Sequence, residues 1–189
     1  MIRRTFFPVV IALSVTSVHA ATPSDQGREQ EPVHFVATFS NMEFTEEHAY
    51  GSQLELWKHG SQFIGLFMYS EGLAGDTPTG LLENVRYNPR AKSLTFEAKL
   101  TIGVRYHGPG KEEPTHDLFV FSGTLGEDSL VGELERIDKL EPNAQPNMEK
   151  VALKKEISNL SLGETLRITT QEDWRSYSEM ILKHRGPKW

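Results

Sequence analysis

The chain contains no cysteine among its 189 residues. That excludes disulfide staples, thiolate metal ligands, a cysteine nucleophile and a lipid-modified N-terminal cysteine. Gly-x-Ser-x-Gly is also absent, so the nucleophile elbow of the α/β-hydrolases has no counterpart, and no Ser–His–Asp arrangement stands out. After the first twenty residues no apolar run approaches the ~20 residues of a membrane-spanning helix. Positive charge is in short supply: 20 Lys and Arg stand against 26 Asp and Glu, a net charge of −6. A chain this acidic is poorly suited to nucleic acid or to an anionic membrane through general electrostatics.

What is present begins with a targeting pattern. Arg3 and Arg4 precede an apolar run from Phe6 to Val15, and Val18-His19-Ala20 puts small or aliphatic residues at the cleavage positions. Residues 1–20 read as a secretory signal peptide cut after Ala20. The alternative, a membrane anchor, needs a longer run. Removing these residues leaves 169, and losing Arg3 and Arg4 leaves 18 basic against 26 acidic residues, a net charge of −8. That length supports one domain with a real core. An exported, disulfide-free chain of this size fits a bacterial envelope, periplasmic or extracellular, better than a small secreted toxin. Residues 21–32 are polar, with Pro23, Gly27 and Pro32, and read as a disordered leader.

The rest alternates like a β-protein. Residues 52–71 run SQLELWK, His59-Gly60, SQFIGLFMYSE, which predicts a β-hairpin with His59 and Gly60 as its loop. Leu56 then pairs with Phe63 and Leu54 with Gly65. One face carries Leu54, Leu56, Phe63, Phe67 and Tyr69; the other carries Trp57, Ile64, Leu66 and Met68. Residues 33–44 predict a strand with Phe35, Ala37 and Phe39 on one side, and residues 81–87 one with Leu81, Val85 and Tyr87 together. Residues 93–102 alternate most cleanly, apolar at Leu94, Phe96, Ala98, Leu100 and Ile102. A long polar loop follows over 103–116, then strands over 117–125 and 129–137, and a short closing strand over 150–155 for which a helix is the alternative. Near the end, Thr170 as N-cap, Trp174, Tyr177 and Ile181 on one stripe, and Gly186-Pro187 as a stop predict an amphipathic helix over about 171–185.

Three strands place a glycine between apolar residues of one face: Gly65, Gly123 and Gly132. Mid-strand glycine permits the bending and close approach that a small closed sheet needs. The predicted fold is therefore all-β, an antiparallel up-and-down β-barrel of about eight strands over 33–157, with an extension over 158–189 whose helix packs outside; a β-sandwich is the alternative. The pattern resembles the calycin architecture, the lipocalin and avidin type of barrel. The lipocalin Gly-x-Trp of the first strand is missing, because Trp57 follows Glu55 and Leu56 in the second, so the resemblance carries over no ligand and no binding residue.

Candidate sites are few. Phe67, Tyr69, Tyr87, Phe96 and Phe121 are the candidates for lining a ligand site in the barrel, with a packed core as the alternative. Trp57, Ile64, Leu66 and Met68 form an apolar outer face that either receives the helix or serves as an interaction surface. In the 103–117 loop His107, His116 and Asp117 are the candidate metal ligands, without a recognised spacing motif, beside Glu112 and Glu113; Glu46, Glu47 and His48 invite the same reading less. Glu133 and Glu135 share a strand face and matter chemically only if that face turns inward. No cofactor is implied. The expected function is a non-enzymatic binding or scaffold protein of the cell envelope, with a small apolar ligand or a protein partner, no nucleic acid and no membrane span after cleavage. The alternative is a hydrolase or lyase with a loop-borne His/carboxylate or metal site at one barrel end.

Overall fold

Alternating apolar and polar residues, punctuated by Gly, Pro and Asn, make a meander of antiparallel strands. The computed structural model describes residues 31–73, 77–156 and 165–189; the signal peptide and most of the leader read from the sequence lie outside them. The strands are β1 (Val33–Ser40), β2 (Glu43–Phe44), β3 (His48–His59), β4 (Gln62–Leu73), β5 (Thr79–Asn88), β6 (Ser93–Leu100), β7 (Val104–Tyr106), β8 (Glu112–Pro114), β9 (Asp117–Leu125), β10 (Ser129–Asp138) and β11 (Asn147–Lys155), followed by helix α1 (Gln171–Arg185). Eight of them pair in the order β1-β3-β4-β5-β6-β9-β10-β11 and back to β1, a closed antiparallel barrel. β2 is an extra strand outside it, on β3. Closure excludes the sandwich. The 103–116 segment, predicted as a loop, holds the separate β7–β8 ribbon.

The hairpin turns one residue later than predicted. Gly60 and Ser61 form the loop between the His59–Gln62 pair, with Gly60 at φ +58 in the first loop position, where a left-handed backbone favours glycine. Leu56 therefore faces Gly65 and Leu54 faces Phe67. The register differs from the predicted one by two residues, and a two-residue shift keeps every side chain on its face. Two bulges do change faces. In β1 an extra residue at Val36 sends Phe35 outward, edge-on to Trp57 at 5.0 Å, while Ala37 and Phe39 turn inward. In β5 an extra residue beside Asn84, at φ 51, lets both Leu82 and Val85 pack on the interior, leaving Leu81 outside. A bulge adds one residue to one strand and reverses the alternation beyond it.

The interior is filled. Phe119, Phe67, Phe96 and Phe121 are buried and touch in that order, with centroids 5.1–5.6 Å apart, tilted at the first two contacts and stacked at the last, among Leu54, Leu56, Leu94, Leu100, Leu130 and Leu153. Gly123 and Gly132 face each other across β9 and β10 under the Phe121 ring. A Cβ on Gly132 would press on the Ser122 carbonyl and come within 2.6 Å of Gly123 Cα.

The outer face of the hairpin carries a second apolar cluster. Thr170 caps α1, its hydroxyl accepting from the Asp173 N–H while the Asp173 carboxylate accepts from the Thr170 N–H. Trp174, Tyr177, Ile181 and Leu182 pack on Trp57, Ile64, Leu66 and Met68, and Trp57 is fully buried. Its ring lies 5.4 Å from Trp174 and 6.1 Å from Tyr177. Beneath the helix sits Glu55, 8% exposed, accepting a 2.7 Å bond from the Tyr177 hydroxyl. Burial pushes its carboxyl above the ordinary value of 4.5; the Tyr177 bond and Arg185 work against that, and Glu156 with it.

Two outcomes follow. Gly132→Ala overpacks the Gly123–Gly132 contact and should lower stability by about 2 kcal/mol in urea unfolding. For Glu55, a carboxyl raised in the folded state contributes stability that is complete below its ordinary value and lost as pH rises through the raised one. Glu55→Gln keeps an acceptor for Tyr177 and should match the wild type in acid. It should gain in thermal midpoint over the wild type as pH rises from about 4 to about 8; a constant difference across that range would refute the assignment.

Candidate functional site

The inward-facing residues change character at the end of the barrel where β4, β6 and β10 finish and β9 and β11 begin. Side chains alternate along a strand, so each inward position repeats every second residue. Following Phe67 and Tyr69 in β4 comes Glu71; two before Phe119 in β9 comes Asp117; two after Leu134 in β10 comes Arg136; two before Val151 in β11 comes Glu149. The apolar column thus ends in a charged ring.

Arg136 holds the ring together. Its Nε donates to Asp117 Oδ1 and its Nη1 to Glu71 Oε1, both at 2.9 Å. The Asp117 side chain is 3% exposed and Arg136 is 25% exposed. The Ile102 N–H donates to Thr115 Oγ1 at 3.0 Å and lies 3.4 Å from Asp117 Oδ2. Tyr69, against Phe119 at 4.8 Å, donates to Glu71 Oε2 at 3.4 Å. Burial, and then the charges of Glu149 and Glu71, push the Tyr69 hydroxyl up to about 12, so it stays a donor at neutral pH. Partial burial at the rim raises Glu149, Glu71 raises it further, and Arg136 opposes both. A ring of three carboxyl groups around one guanidinium is a structural clamp first. Asp117 is too enclosed for direct contact with a solute, whereas Glu71 and Arg136 reach the surface.

They do so in a cleft of about 480 Å³, lined by the apolar Leu73, Pro78, Ile102 and Val104 and by the polar Glu71, Arg136 and Thr115. A second cleft, about 210 Å³, shares Pro78, Ile102, Gly103 and Val104 with the first and adds His184, Arg185 and Lys188. The ribbon beside them is tied down by Arg105, which pairs with Asp138 and Glu141. The end of the chain is tied down as well. The Lys188 N–H donates to Thr101 Oγ1 at 3.0 Å, and Trp189 Nε1 donates to the Leu100 carbonyl at 2.9 Å. The Trp189 ring stacks on His116 at 5.0 Å.

The residues singled out from the sequence fall in different places. Phe67, Phe96 and Phe121 are packed core. Tyr69 stands at the charged mouth, while Tyr87 stands towards the opposite end, edge-on to Phe63 at 4.9 Å, so the five do not surround one space. His107 pairs with Glu113 at 3.0 Å, His116 with Trp189, and Asp117 with Arg136. The three candidate metal ligands therefore turn to different partners, and no group of three or more His, Asp or Glu suited to a metal occurs among the described residues. Trp57, Ile64, Leu66 and Met68 lie under α1. Glu133 is exposed and points outward; its inward neighbour in the chain is Leu134. Glu71, Arg136 and Glu149 escaped the sequence reading, although the alternation that marks Phe67, Leu134 and Val151 as inward reaches each of them one step later.

No protein-family model, curated protein or solved structure matches this chain.

Arg136→Met leaves the Asp117 carboxylate buried without its cation and should cost about 3 kcal/mol in denaturant unfolding. Adding Asp117→Asn removes the orphaned charge and should restore part of that loss; a double variant as unstable as the single one would refute the pairing.

Proposed function

We propose that the protein is an exported, non-enzymatic binding protein of the bacterial cell envelope, and that its ligand is a small, largely apolar molecule held in the mouth cleft. The observation that carries this reading is the cleft's construction. It is large enough for a small organic ligand, and its lining joins apolar residues to a few polar groups. The filled aromatic interior favours the mouth over the barrel centre as the binding place. Export rests on the N-terminal Arg3-Arg4, apolar-run and Val18-His19-Ala20 pattern, and the envelope on the absence of cysteine. The hydrolase or lyase alternative draws no support from His107, His116 and Asp117, since each is engaged with a different partner.

A neutral fluorescent probe, N-phenyl-1-naphthylamine, should bind the protein with enhanced, blue-shifted emission. Val104→Trp, at an exposed position of the shared wall, should fill the cleft and weaken that binding at least about tenfold while leaving the thermal midpoint in place. Probe binding unaffected by Val104→Trp, or none to the wild type, would overturn the reading.

A further inference from the structure

We propose that the ligand of the mouth is an amphiphilic anion, its carboxylate-type head group held in the second cleft by His184, Arg185 and Lys188 and its apolar part laid along Ile102 and Val104 into the first. The inference rests on the binding reading above and adds the charge and direction of the ligand.

Charge complementarity carries it. The two clefts differ in electrostatics although they share a wall. In the first, Arg136 is engaged by Asp117 and Glu71, so its charge is already satisfied. In the second, His184, Arg185 and Lys188 are all exposed, and none forms an ion pair among the described residues. Of the three, Arg185 also senses the buried Glu55. In a chain with a net charge of −6, an unpaired basic group beside an apolar cleft is a local exception. The C-terminal end of a helix carries only about half a negative charge. Lys183 and Arg185 in the last turn of α1 exceed what that end requires, and Lys188 lies beyond the helix altogether.

The position of Lys188 is built. Its own N–H is fixed to Thr101 Oγ1, and the next residue is fixed through Trp189 Nε1 to the Leu100 carbonyl and through its ring to His116. Lys99, 6.0 Å from the Trp189 ring centroid, is paired with Glu83 at 2.9 Å and so does not compete for the ligand. Thr101 and Pro114 complete the small cleft. A lysine whose backbone is fixed at such a point, with its ammonium exposed, fits a compact anionic head, and the adjoining apolar residues Ile102 and Val104 fit a chain of a few methylenes.

The test is displacement of N-phenyl-1-naphthylamine from the full chain by decanoate and by 1-decanol, at about pH 8 where the acid is ionised. Decanoate should compete about tenfold better than the alcohol. Lys188→Glu should abolish that preference while leaving decanol unchanged, and Lys188→Arg should retain it. Equal competition by acid and alcohol, or a preference that survives Lys188→Glu, would overturn the anion assignment while leaving the cleft as a binding site. A probe that fails to bind the wild type at all would overturn both.

Discussion

The β3–β4 hairpin buries both of its faces, and the rest of the molecule follows from that demand. Because side chains alternate strictly along a strand, Leu54, Leu56 and Phe67 cannot enter a core without sending Trp57, Leu66 and Met68 the other way. The first set is enclosed by rolling the sheet into a barrel, and the second by laying α1 across the outside. Covering the second face has an electrostatic cost, since Glu55 shares its phase with Trp57 and goes under the helix too. The Tyr177 hydroxyl meets it there, which is what a buried carboxyl requires. The helix is thus coupled to the barrel by one aromatic cluster and one acid.

Eight strands enclose a space that side chains can fill, and here four phenylalanines and a set of leucines fill it. The consequence is a gradient along the barrel axis: solid and apolar at the centre, charged at one mouth. Arg136 sits where the gradient ends. Its bonds to Asp117 and Glu71 join β10 to β9 and to β4 at the rim. The mouth is held by ion pairs where the core is held by apolar packing, and the clefts open where those ion pairs meet the ribbon and residues 184–188.

Elements whose local pattern is self-sufficient were legible in the sequence. Residues 93–100 alternate without interruption, and α1 announces itself by its cap, its stripe and its stop. The bulges at Val36 and Asn84 were not legible, because one inserted residue leaves composition and periodicity nearly intact while reversing every side chain beyond it. Phe35 and Leu81 were assigned to the wrong face for that reason. The hairpin register escaped by two residues but kept its faces, since Gly60 serves either loop position. The charged mouth was hidden by distance in the chain: Glu71 and Arg136 lie 65 residues apart and meet only because the sheet closes. Of the aromatics proposed as ligand contacts, Phe67, Phe96 and Phe121 lie at mid-strand and belong to the core, while Tyr69 and Tyr87 lie towards strand ends, Tyr87 exposed.

The closing seam of the barrel is uneven. Among the described residues β1 pairs with β3 from Val33 to Ser40 and with β11 at Phe39–Lys155 and Ser40–Lys154, the Glu156 N–H donating to the Thr38 carbonyl at 2.8 Å just beyond. The first pairing joins neighbouring parts of the chain, and the second joins its first strand to its last. Loop-closure entropy makes such a first-to-last pairing the slowest to form. The order of assembly is therefore written into the topology. The meander from β3 to β11 grows by successive hairpins and short returns, β1 rides with β3, and the cylinder completes itself where β11 meets β1.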